Sequence, residues 1–138
     1  MGHVTAPGDQ LACLRADADS GVLAGLCERL GVGLLVVFGS VLVRPESAED
    51  LDVACAASDG SRLDRMRILE ALEERYGVGL DLMPLDQAGP VARYAALGPG
   101  ELLYESEPGG FARAQMAAFG IYRDTQRMRD HQLEVLLG

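Results

Sequence analysis

Apolar and polar positions along the chain follow two periods. Leu11, Leu14, Ala18, Val22, Leu26 and Leu30 recur at helical spacing, with Asp19-Ser20-Gly21 leaving open whether they form one helix or two. Gly31 and Gly33 end that segment and lead into an unbroken apolar run at 34–38, read as a buried strand. Strands are expected again at 50–56, at 78–85 with Pro84 at its end or on an edge, and at 101–105. Between them, Leu63, Met66, Ile68, Leu69, Leu72 and Tyr76 make an amphipathic stripe, with Ser61 as the expected helix cap. A short helix at 88–97 is punctuated by Gly98-Pro99-Gly100. Residues 2–8 are expected to be loose, and Pro45 disfavours continuing any short helix through the polar stretch at 44–49.

Pro108-Gly109-Gly110 resets the chain for a last helix at about 111–137. Phe111, Ala114, Ala118, Phe119 and Tyr122 are expected to pack on the domain, whereas only Met128 is clearly apolar between Arg123 and Gln132. Arg113, Arg123, Arg127 and Arg129 make this helix a basic feature, read either as a solvated surface or as a partner-binding arm. His131 is expected to be exposed, and Tyr104 and Tyr122 to pack.

Length changes the picture by limiting it: 138 residues make one domain, read as an N-terminal helical segment (1–32), a sheet-and-helix body (33–106) and a C-terminal helix (107–138). A formal charge of -9 argues against stable nucleic-acid binding, which relies on clustered cations. Cys13, Cys27 and Cys55 are odd in number and lack Cys-x-x-Cys spacing, as expected of reduced, largely buried thiols in a cytoplasmic protein. No apolar run is long enough to span a bilayer, and Met1-Gly2-His3-Val4-Thr5 lacks the features of a signal peptide.

The candidate chemistry lies at the end of the first apolar run. Gly39-Ser40 breaks the strand where only a small residue lets the backbone approach a ligand such as a phosphate. Asp50 and Asp52 alternate with Leu51 and Val53, so on a strand both carboxylates share one face. Like charges so placed repel, a cost tolerated where a divalent cation sits between them, which suggests magnesium.

A strand, a Gly-Ser turn, a loop of about ten residues and Asp-x-Asp opening a second strand resemble the signature of the DNA polymerase β type nucleotidyltransferases. Asp81, between Leu80 and Leu82, occupies the order of that superfamily's third carboxylate. The run from Gly79 to Asp86, the segments 90–97 and 100–105, and Tyr122-Arg123-Asp124 are similar to the minimal nucleotidyltransferase (MNT) antitoxins that accompany HEPN-domain toxins. The resemblance implies an α/β (α+β) polymerase β-like fold, with a mixed sheet flanked by helices and a C-terminal helix. It also implies an adenylyltransferase that moves AMP from ATP to a tyrosine of its toxin. By that resemblance, Asp50, Asp52 and Asp81 are the catalytic residues and ligands of two Mg²⁺ ions, with Asp81 on the nucleophile side. Gly39, Ser40 and Arg44 would bind the nucleotide. The chain departs from the family in following Gly39-Ser40 with Val41-Leu42-Val43, so Arg44 is the first basic residue of the loop. A binding-only antitoxin, a small-molecule (antibiotic-type) nucleotidyltransferase and self-association through the last helix stay open.

Overall fold

The computed structural model describes residues 6–137. Residues 2–5 of the segment expected to be loose lie outside the described residues, but 7 and 8 are helical: α1 (Pro7–Ser20) starts on Pro7, where a missing N–H costs nothing. Gly21, at φ 88°, separates it from α2 (Val22–Leu30), so the N-terminal segment is two helices. That left-handed backbone is one glycine adopts without strain.

The sheet follows in the order β1 (Val32–Phe38), β2 (Leu51–Ala57), β3 (Leu80–Pro84) and β4 (Glu101–Glu105). A one-turn helix, α3 (Ser40–Val43), follows β1 and stops before Pro45. α4 (Arg65–Tyr76) joins β2 to β3, and α5 (Pro90–Leu97) joins β3 to β4. The spatial order is β3-β2-β1-β4, with β1 antiparallel to β2 and β4, and β2 parallel to β3. The parallel pair needs a crossover, and α4 supplies it.

Strand alternation divides the core into two layers. On one face, Leu35, Val37, Val53 and Leu82 meet Leu14 of α1, Leu23 of α2, and Ile68 and Leu72 of α4. On the other, Leu34, Val36 and Ala54 meet Ala96 and Leu97 of α5 and Ala118 of α6 (Gly110–Leu137). β2 therefore sends Leu51, Val53 and Cys55 into the first layer and turns Asp52 toward the second. Gln10, buried in α1, donates through Nε2 to the carbonyls of Gly77 (3.2 Å) and Val78 (2.9 Å), tying the N-terminal helix to the turn before β3.

Several boundaries differ from the sequence expectation, each for a local reason. Asp64, not Ser61, caps α4: its Oδ1 accepts from the Arg67 N–H at 3.2 Å, while the Ser61 N–H is spent on Asp59 Oδ1. β3 is shorter than 78–85 because Gly77 and Gly79 hold positive φ and leave Val78 exposed, and because Leu85 opens a 3-10 turn. Met66 stands outside the α4 stripe, exposed. Cys27 and Cys55 are buried, which pushes both thiols up to about 12, but Cys13 is exposed.

The last helix packs only through its first half. Phe119 is half-exposed and meets Tyr94 at a ring distance of 6.0 Å, whereas Tyr122 stacks on Tyr94 at 4.3 Å with the Arg129 guanidinium over its ring. Beyond Tyr122, Met128, Leu133, Val135, Leu136 and Leu137 are exposed, as is His131. No helix among the described residues is long and apolar enough to cross a membrane.

Candidate active site

The site begins where β1 runs out. Gly39 follows Phe38 at φ 86° and ψ -159°, and a Cβ built on it would collide with the Asp52 carboxylate. The positive φ thus favours glycine at position 39, and any larger residue would have to displace the Asp52 carboxylate. The chain then turns through α3, which Val41 anchors by burying its side chain in the first core layer. This gives Val41-Leu42-Val43 a physical reading: an apolar plug seats the turn. The turn closes with the Arg44 N–H on the Ser40 carbonyl at 2.7 Å, and the Ala48 N–H on the Arg44 carbonyl at 3.0 Å.

Asp50 is the last residue before β2 and is exposed, and Asp52 is the second residue of the strand and half-buried. In the parallel β2/β3 register Asp52 is paired with Asp81, and in the antiparallel β1/β2 register with Phe38. Adjacent residues in register point to the same face of a sheet, so the Asp52 and Asp81 carboxylates stand side by side. The Asp52 carboxyl is raised above its ordinary value, first by burial, then by the charges of Asp81 and Asp50 and by a carboxyl contact with Asp81.

Ser40, Arg44, Ser47, Ala48, Glu49, Asp50 and Asp52 line an open cleft of about 410 Å³. Of the residues expected at the site, the cleft brings together Ser40, Arg44, Asp50 and Asp52. Gly39 lies behind Asp52, and Asp81 flanks it from β3 without lining the cleft. The donor chemistry suits a hard divalent cation: Asp52 and Asp81 present oxygen ligands side by side, and burial first, then the neighbouring carboxylates, raises Asp52. Among the described residues, no three His, Cys, Asp or Glu side chains are drawn together closely enough to enclose an ion as they stand, and both Asp50 and Asp81 are exposed.

Arg65 was missed from the sequence. Its Nε donates to the Leu82 carbonyl at 2.9 Å, and its Nη2 lies 3.9 Å from Asp81 Oδ1. Its position, among the charged residues opposite an apolar stripe, carried no signal, because what brings it here is the edge position of β3.

No protein-family model and no curated protein matches the chain. Solved structures do. A toxin–antitoxin complex with AMP-PNP matches at a TM-score of 0.68 and 18% identity, over 87% of this chain and 99% of that one. A complex of an MNT antitoxin with a tri-AMPylated Shewanella oneidensis HEPN toxin matches at 0.66 and 18% identity, over 90% and 99%. The fold is that of the MNT antitoxins. The MntA–HepT toxin–antitoxin complex matches at 0.65 and 18% identity, over 88% of this chain and 97% of that one. The neighbours are covered almost end to end and this chain is not, so it carries residues beyond the shared MNT fold.

Proposed function

We propose that this chain, folding as a single domain over 1–138, is a cytoplasmic MNT antitoxin and a Mg²⁺-dependent protein adenylyltransferase that moves AMP from ATP to a tyrosine hydroxyl of a HEPN-domain toxin. The observation that carries this reading is the pairing of Asp52 with Asp81 beside a cleft containing Ser40, Arg44 and Asp50. The fold shared with complexes that contain AMP-PNP or an AMPylated toxin supports it.

In this reading, Asp50, Asp52 and Asp81 hold the magnesium ions. Bound there, magnesium supplies a Lewis acid that polarises the phosphate and lowers the pKa of the attacking hydroxyl. Ser40 and the backbone N–H groups at Gly39 receive the distal phosphates, and the Arg44 guanidinium offers them a bidentate fork. The tyrosine oxygen bonds to the α-phosphorus as the bond from that phosphorus to the bridging oxygen of pyrophosphate breaks. The phenolic proton passes to Asp81, and pyrophosphate leaves on the Arg44 side. An acidic chain can bind a triphosphate because metal ions, not surface cations, meet most of its charge.

The test is intact-mass analysis of a HEPN toxin, taken from a gene neighbouring this one, after incubation with the protein, Mg²⁺ and ATP. Gains in AMP units with the unaltered protein, absent with an Asp50→Ala, Asp52→Ala variant, are expected. A stable complex with no mass gain would favour a second reading, an antitoxin acting by binding alone. The exposed apolar side chains beyond Tyr122 support that reading, and it requires that deleting 123–138 abolish the complex.

A further inference from the structure

We propose that Arg65 is a positioning residue of the site: its guanidinium, anchored on the β3 backbone, holds the Asp81 carboxylate in place to share a cation with Asp52. The proposal rests on the transferase reading above and adds to it a residue that acts through Asp81.

Asp81 is a carboxylate that needs holding. It stands on β3, an edge strand with a neighbour on one side only, and its side chain is 67% exposed. In register with Asp52 it meets a like charge, so an unrestrained Asp81 side chain turns away from its neighbour. A shared cation requires the opposite.

Arg65 is the group within reach. Its Nε donates to the Leu82 carbonyl at 2.9 Å, and its Nη2 lies 3.9 Å from Asp81 Oδ1. Leu82 turns into the first core layer, where α4 packs, whereas Asp81 beside it turns to the other face with Asp52. The Arg65 side chain therefore leaves a helix on one face of the sheet and passes round the edge of β3 toward a carboxylate on the other. An edge strand permits that path, and the planar fork of a guanidinium can face the carbonyl and the carboxylate at once. With the arginine on Oδ1, the second oxygen of Asp81 is left for a metal ion.

Stability does not account for this arginine. Arg65 is the first residue of α4, in a turn without an acidic residue, and a cation there opposes the helix dipole. A 3.9 Å ion pair between side chains this open to water adds little to folding. Covering the edge of β3 would need only the bond to Leu82, not the reach to Asp81.

The experiment is calorimetric titration of Mg²⁺ into metal-free protein, with neither nucleotide nor toxin present. Arg65→Gln, which keeps a donor for Leu82 but loses the charge and Nη2, should raise Kd about tenfold, as loss of a group that orients a metal ligand does. Electrostatics alone gives the reverse, because removing one cation favours the binding of another. Arg62→Gln, an exposed position in the turn before α4, removes the same charge and should leave Kd within about twofold. Asp81→Asn should also weaken binding, and adding Arg65→Gln to it should weaken it no further, since two residues acting through one contact are not additive. The urea midpoint of Arg65→Gln should stay close to that of the unaltered chain. Binding by Arg65→Gln as tight as or tighter than before, a tenfold loss that persists in the Asp81→Asn background, or a collapsed urea midpoint would overturn the positioning role and leave the transferase reading standing. An unaltered chain that binds no Mg²⁺ would overturn the transferase reading and this proposal with it.

Discussion

Asp17 illustrates how much one side chain can hold together. It accepts from Arg75 Nε at 2.6 Å and from the Tyr76 hydroxyl at 2.7 Å, joining α1 to the end of α4. The Arg75 hydrogen bond is the main reason its carboxyl lies below the ordinary value of 3.8, with Tyr76 adding to it. A depressed carboxylate contributes stability that is complete above its unfolded pKa and is lost as pH falls through the folded one. Asp17→Asn should therefore lower the urea midpoint at pH 7 and flatten the decline below about pH 4; an unchanged acid limb would refute this. Gly39 is the second such position. Gly39→Ala combines a positive φ with a collision against Asp52 and should cost about 1–3 kcal/mol, read from urea unfolding, while moving the carboxylate on which the site depends.

Among the elements, α6 is divided in its energetics. Its first half buries Ala118 and stacks Tyr122 on Tyr94, and its second half leaves its large apolar side chains exposed. Burying a leucine is worth about 1.5–3 kcal/mol, a contribution absent beyond Tyr122. Truncation after Asp130 should leave the thermal midpoint of the isolated protein within about 2 °C, whereas Ala118→Asp should lower it severely. The element plan was legible in the sequence because long apolar runs and helical stripes report burial directly: β1, α4, α5 and β4 lie close to where the pattern puts them. The details that escaped depend on contacts across the chain or on competition between nearby polar groups. Ser61 and Asp64 are both sound helix caps by residue type, but the helix opens at Arg65, so it is the Asp64 carboxylate that meets the Arg67 N–H, while Ser61 lies in the turn closed by Asp59. In the site, the alternation of Asp50 and Asp52 was visible, but the adjacency of Asp52 and Asp81 comes from the β2/β3 register, which no local spacing encodes. Arg65 was illegible for the same reason.

For the whole molecule, the proposed site makes ligand binding part of stability. Burial of Asp52 beside Asp81 and Asp50 disfavours its charged form, and a cation bound there would relieve that cost. Under the proposed reading, millimolar MgCl₂ added to EDTA-treated protein should raise its melting temperature, by up to about 2.7 kcal/mol of stabilisation at a hundredfold excess over Kd. Asp52→Asn combined with Asp81→Asn should raise the metal-free melting temperature and abolish the magnesium response. A double variant that responds like the unaltered chain would show that magnesium acts elsewhere.

Under the proposed reading, the parallel pairing of β2 with β3 also fixes when the molecule can act. Asp52 and Asp81 become neighbours only after the whole of α4 has crossed the sheet and the β3 strand has docked beside β2. Contacts that close such long loops form late in folding. A chain that has emerged only through β2, or one opened at that edge, has no paired carboxylates. Under the proposed reading, competence for chemistry therefore waits on the third strand, and a copy that ends at β2 is silent.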